Sequence, residues 1–334
     1  MSTAATRQAP ARSDAGPPTP VALGTGLAAG GLLAGQARIN GMLGERLGSP
    51  LVAALVSFSV GLVVVATLVA ALRRTRRAAR LAVAAPLPWW TYLGGLGGAT
   101  MVAVAAAAAP VIGVATFTVG FVAGQAVGGL VVDRSPLGPG DPRPLSGRRV
   151  IGAALAVAAV VVVRLGHDPG GAPDATALWL LLASAATGVL ASVQQALNGR
   201  VQRATGEPLL ATLVNFTVGT TALATVTAVT LGLGGRLSGS LPPEPLLYTG
   251  GLLGIFVIAT AAWTVHRLGV LRLGLVTVAG QLAGAVLIDL ASPARAGAVD
   301  LATLTGVLLT LVGVALSGPT WLSRLGRPAG TMGG

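Results

Sequence analysis

Apolar residues run through this 334-residue chain in long stretches, and the charged positions fall in short clusters between them rather than along an amphipathic face. A bilayer core about 30 Å thick takes about 20 apolar residues per helix, and that length can be counted off repeatedly. Ten spans are predicted, near residues 21–40, 51–72, 89–109, 111–131, 149–165, 175–197, 209–232, 246–265, 271–289 and 301–318. The fifth is short, and the third and fourth abut at Pro110. Residues 1–20, rich in Ala, Pro, Ser and Thr, read as a disordered tail without the small-residue cleavage pattern of a signal peptide. The predicted fold class is an all-α polytopic membrane protein.

The pattern occurs twice. Gln36-Ala-Arg-Ile-Asn40-Gly41, Gly48-Ser-Pro50-Leu51 and Phe58-Ser-Val60-Gly61 return 158 residues later as Gln194-Gln-Ala-Leu-Asn198-Gly199, Gly206-Glu-Pro208-Leu209 and Phe216-Thr-Val218-Gly219. Tyr92 to Asp133 matches Tyr248 to Asp289 at a shift of 156, with Gly94/Gly250, Gly113/Gly269, Gln125/Gln281 and Asp133/Asp289 in register. The chain therefore divides into a first repeat at 21–166, a linker at 167–172, a second repeat at 173–320 and a tail at 321–334. Five spans per repeat is an odd number, so the second copy enters the membrane from the opposite side. Inverted repeats give one protein two nearly equivalent packings, one open to each side, which is the basis of alternating access. The alternative is a duplication kept only for stability.

Composition strengthens the membrane reading, since 53% of residues are apolar and 10% charged, against about 25% charged in an average soluble domain. All 22 basic residues are arginine, and the net charge is +12. With no soluble domain left to carry a basic surface, nucleic acid is not the expected partner; the lipid bilayer is. The lack of cysteine excludes disulfides, thiolate catalysis and cysteine-bound metal. With ten spans both termini share a side, and that side collects 17 arginines against five on the other (Arg38, Arg46, Arg164, Arg236 and Arg295). Basic residues are retained on the cytoplasmic side, so both termini are expected there.

Polar side chains inside a membrane either glue helices together or line a pathway. Gln36 and Asn40 stand four apart on one helix face, as do Gln194 and Asn198, so each pair can offer amide donors and acceptors to one point. Because both pairs sit at the end of a predicted span, Asn-Gly reads first as a C-cap, with a substrate-facing Asn as the alternative. Ser57 and Asn215 are equivalent and lie one turn before Gly61 and Gly219, where close helix packing competes with a solute contact. Gln125 and Gln281 are the preferred functional pair. They lie mid-span among Gly120, Gly124 and Gly128 in one copy and Gly280 and Gly284 in the other, a ladder that suits close helix crossings or a homodimer. Two such carboxamides near the midplane can bind a polar or cationic solute, or neighbouring backbone.

No Asp, Glu, Lys or Arg falls in the middle of a predicted span. Coupling to protons would have to use acids near span ends, namely Glu45, Glu207, Glu244, Asp133 or Asp289, of which the repeat-related Asp133 and Asp289 are the best candidates. An ordinary interfacial charge is the alternative, suggested by Arg134 beside Asp133. His167 and His266 fall outside the spans. Trp89, Trp90, Tyr92 and Tyr248 begin spans, as an interfacial belt would.

Gln-x-x-x-Asn-Gly, then Leu47-Gly-Ser-Pro50-Leu51 through Gly61, and later Arg267-Leu-Gly269, Ala279-Gly280-Gln281-Leu282 and Asp289, together resemble the YdcZ-type branch of the drug/metabolite transporter superfamily. The likeness extends from about residue 21 to 318. It implies a ten-helix inner-membrane fold of two inverted five-helix repeats, with a central cavity and export or uptake of small molecules. One departure is Glu207, where the first copy has Ser49.

A carrier of a small polar or amphipathic substrate is thus the leading expectation, and a non-transporting membrane scaffold or sensor subunit is the alternative. Enzymatic activity is not expected, since there is no His-Glu-x-x-His motif and no serine with an accessible histidine partner. No metal or other cofactor is expected, and no Gly-rich phosphate loop ending in Lys-Ser/Thr is present.

Overall fold

The computed structural model describes residues 20–84, 87–137, 146–167, 175–234, 239–257, 270–292 and 299–317. Among these the chain is helical throughout, without strands. The first repeat supplies α1 (Pro20–Leu47), α2 (Pro50–Ala71), a short α3 (Arg73–Ala84), α4 (Gly94–Ile112, entered through a 3-10 turn at Trp89–Leu93), α5 (Val114–Arg134) and α6 (Gly147–His167). The second supplies α7 (Ala175–Thr205), α8 (Pro208–Gly232), α9 (helical over 250–257, entered through a 3-10 turn at Pro245–Tyr248), α10 (Val270–Ala291) and α11 (Leu301–Ser317). Among the described residues every predicted span has a helix, that of 246–265 over 250–257, and α3 is the one addition. Five segments, α2, the turn with α4, α5, α7 and α8, are each long and apolar enough to cross a membrane, and α10 and α11 hold shorter apolar stretches. Val63, Val161 and Leu308 are more than half exposed, as lipid-facing side chains are.

Two expectations about helix ends are corrected. The helices of the first and sixth predicted spans do not end at Asn-Gly: α1 continues from Asn40 to Leu47, and α7 from Asn198 to Thr205. The chain reverses instead at Gly48 and Gly206, whose φ angles of 64° and 67° are left-handed conformations that suit glycine, and Pro50 and Pro208 open the next helices. The motif is thus a helix followed by its turn, and Asn40 and Asn198 are interior residues. Ser49 then caps α2 by accepting from the Val52 N–H at 3.3 Å, whereas Glu207 makes no such bond and pairs with Arg74 on α3.

The two repeats exchange partners. α1 packs along α10 and α7 along α5, α2 packs on α8, and α6 on α11. The α1–α10 and α5–α7 seams are the glycine ladders at work: a methyl on Gly124 would overlap the Ala185 carbonyl, and one on Gly280 the Leu27 carbonyl. Gly188 and Gly30 face back across the same seams onto Phe121 and Thr277. Without a hydrophobic drive between helices in lipid, such backbone approach supplies the dispersion contacts that hold them. Both ladders therefore face helices of their own chain. On the α2–α8 contact Phe58 and Phe216 meet at 5.1 Å between ring centroids, each lying over the other helix's glycine, Phe58 on Gly219 and Phe216 on Gly61. A contact that is its own mirror in this way marks the pseudo-two-fold relation between the repeats.

Candidate functional site

Two polar clusters flank the Phe58–Phe216 contact, and each is assembled from both repeats. In one, α7 contributes Gln194 and Asn198, α8 contributes Asn215, and the glycine face of α4 closes over them. The empty Cβ position of Gly98 lies 2.8 Å from Gln194 Nε2 and 3.3 Å from Asn215 Oδ1, and that of Gly94 lies 2.7 Å from Asn198 Oδ1. In the other, α1 contributes Gln36 and Asn40, α2 contributes Ser57, and α9 closes over them. Gly254 stands 3.4 Å from Gln36 Nε2 by the same measure, and Gly250 stands 3.0 Å from Ser57 Oγ and against Asn40 Oδ1. A side chain at Gly94, Gly98 or Gly250 would crowd the amides, whereas a methyl at Gly254 would meet Gln36 only in ordinary contact. Sequence reasoning had Gly94 and Gly250 in register and missed their role. The signal was the small-residue runs Gly94-Gly-Leu-Gly-Gly98 and Gly250-Gly-Leu-Leu-Gly254.

The clusters share a plan and differ in bonding. Asn215 Nδ2 donates to Asn198 Oδ1 at 3.4 Å. At the equivalent place Ser57 is too short to reach Asn40. Asn40 is 1% exposed, and neither its amide nitrogen nor its oxygen has a hydrogen-bond partner; the Ser57 hydroxyl, 2% exposed, has none either. Each buried polar atom left in this state costs about 1–3 kcal/mol.

Gln125 and Gln281 lie elsewhere, on the α5–α7 and α10–α1 seams, half-buried and buried respectively. Their backbone N–H groups border Gly188 and Gly30, six residues before Gln194 and Gln36 and so about 9 Å along the helix from each. At Gln125 it is the main-chain carbonyl that accepts a bond, from Ser192 Oγ at 3.0 Å. The structure thus gathers Gln36, Asn40 and Ser57 in one cluster and Gln194, Asn198 and Asn215 in the other, and leaves the glutamine pair apart.

Asp289 has a different setting from the exposed interfacial charge. It is 2% exposed and reaches from the end of α10 to the start of α5, where Oδ1 accepts from Val114 N at 3.1 Å and Oδ2 from Ala115 N at 2.7 Å. The carboxylate caps α5 from another repeat, and Gly113 (φ 82°) leaves room for it, its Cβ position lying 3.0 Å from Oδ2. The Asp133 side chain and His266 lie outside the described residues. Glu244 pairs with Arg46 at 3.6 Å. Tyr92 and Tyr248 fasten the chain at the entries to α4 and α9, Tyr92 accepting from Leu87 N at 2.9 Å and Tyr248 donating to Pro242 O at 2.8 Å. The Arg200 guanidinium lies 5.0 Å over the Trp90 ring.

The sequence matches the family described as "Putative inner membrane exporter, YdcZ" over residues 21–162 and 178–316, one segment for each repeat. The chain belongs to the YdcZ family. That membership agrees with the inverted five-helix repeats and makes this an integral membrane protein of the drug/metabolite transporter type. A solved structure described as "Crystal structure of protein" is similar in fold, with a TM-score of 0.53 and 20% sequence identity over 92% of this YdcZ-family chain and 98% of its own. No curated protein matches the sequence.

Proposed function

We propose that this protein is a secondary exporter that moves a small polar or amphipathic molecule across the cytoplasmic membrane by rocking its two repeats, with both termini on the cytoplasmic side. The observation that carries the reading is the buried, unpartnered Asn40 beside an equally unpartnered Ser57. A scaffold has no use for polar atoms that cost stability, whereas a carrier bonds them to water or substrate when that face opens. Each cluster is built by the first two spans of one repeat and the third span of the other. Relative movement of the repeats would therefore open and close both clusters. The repeats, taken as 21–166 and 173–320, are the moving bodies in this reading. Gln125 and Gln281 would lie along the same route at the seams.

The bonded pair Asn198–Asn215 favours the second reading, a non-transporting scaffold, for its own half. The naturally cysteine-free chain allows a direct test. Single cysteines at Ser57 and Asn215, with the lipid-facing Val63 as control, are treated in intact membranes with a charged, water-borne thiol reagent. Labelling at Ser57 or Asn215 but not at Val63 supports a hydrated pathway. If neither reacts until the protein is denatured, the scaffold reading stands and transport through these clusters is refuted.

A further inference from the structure

α3 has no counterpart among the described residues of the second repeat, and its arginines follow a rule of their own. Arg73, Arg76, Arg77 and Arg80 stand at i, i+3, i+4 and i+7, which puts four guanidinium groups on one face of a twelve-residue helix. All four are exposed, and among the described residues none has a carboxylate partner. The opposite face is packed: Thr75 is 2% exposed, and Ala78 and Ala79 lie against the cluster that includes Val69 of α2 and Leu210 of α8. Arg74, on the flank, is tied to Glu207 at the start of α8. The helix is thus held by its underside and one ion pair at the end of α2, where a membrane span meets the headgroup region. It holds its basic face away from the protein.

Like charges at these spacings oppose one another and destabilise an isolated helix, and cations crowded at a helix start also oppose its dipole. No acidic residue in the first turn relieves either effect. We infer that the Arg73–Arg76–Arg77–Arg80 face is a binding surface for the phosphates of anionic lipids, which complete the charge balance of α3 and anchor the first repeat at the membrane surface. Arginine suits this role because its planar fork binds phosphate oxygens in pairs. A basic amphipathic helix at the end of a span is also the arrangement that binds anionic headgroups most directly. The inference stands apart from the transport reading, since a scaffold would use the same anchor.

The test follows the melting temperature of the full-length protein in a neutral detergent, titrated with phosphatidylglycerol, with phosphatidylcholine and with inorganic phosphate. Phosphatidylglycerol is expected to raise the melting temperature by several degrees and phosphatidylcholine to have little effect. The shift should vanish in the R73Q/R76Q/R77Q/R80Q variant and fall by about half in R76Q/R80Q, which covers the case in which the fourfold variant does not fold. Equal shifts from both lipids, or an undiminished phosphatidylglycerol shift in the variants, would overturn the inference. An equal response to inorganic phosphate would replace the lipid with a free anion.

Discussion

Truncation of Asp289 should loosen the start of α5 from a distance of 175 residues along the chain. The carboxylate accepts two backbone N–H bonds and is 2% exposed, so water cannot readily take its place. A hydrogen bond to a charged group contributes about 1.5–3 kcal/mol and a helix N-cap typically about 1. Loss of both acceptors in D289A should therefore cost about 3 kcal/mol. D289N keeps one acceptor but turns its NH2 toward the other N–H, and should cost about 2 kcal/mol. At about 2 °C per kcal/mol for a chain of this length, the melting temperature in detergent should fall by about 6 °C and about 4 °C respectively. The alternative role, a coupling acid, predicts the reverse pattern: D289N would melt like the parent while transport lost its pH dependence. Melting within about 1 °C of the parent for both variants would refute the capping assignment, since the assay resolves shifts several times larger.

Ser57→Asn should give the first cluster the same pair as the second, adding a bond to Asn40 worth about 1 kcal/mol and lowering substrate efflux, as measured by melting and by transport in vesicles. Asn215→Ser should do the opposite to stability, by leaving Asn198 unpartnered. Gly124→Ala should cost about 1–3 kcal/mol, because the new methyl overlaps the Ala185 carbonyl. Gly129→Ala in the same helix, with open space around it, should instead stabilise by up to about 1 kcal/mol; equal melting of the two would contradict the seam. Phe216→Ala should cost about 3 kcal/mol, and the F58A/F216A double variant less than the sum of the two singles, because the rings share one contact.

The length of the apolar runs was enough to place the ten spans, because a membrane span is a local property of about twenty consecutive residues. The repeat gave the inversion by counting, and the glycine ladders at Gly124, Gly128, Gly280 and Gly284 gave close seams, because only glycine lets two backbones touch. Which helices share those seams was decided by tertiary structure, as was the use of Asn40: a local Asn-Gly signal reads as a helix end, and seven further residues of α1 overrule it through packing. The partner of Asp289 lies in the other repeat, and α3 looks in the sequence like a basic loop until Thr75, Ala78 and Ala79 are seen to have a surface to rest on. Most telling is the pair of polar clusters. Their residues are repeated in the chain, but that one cluster bonds to itself and the other does not depends on the reach of Ser57 against that of Asn215, a difference of side-chain length that acquires meaning only when α9 and α4 close over them.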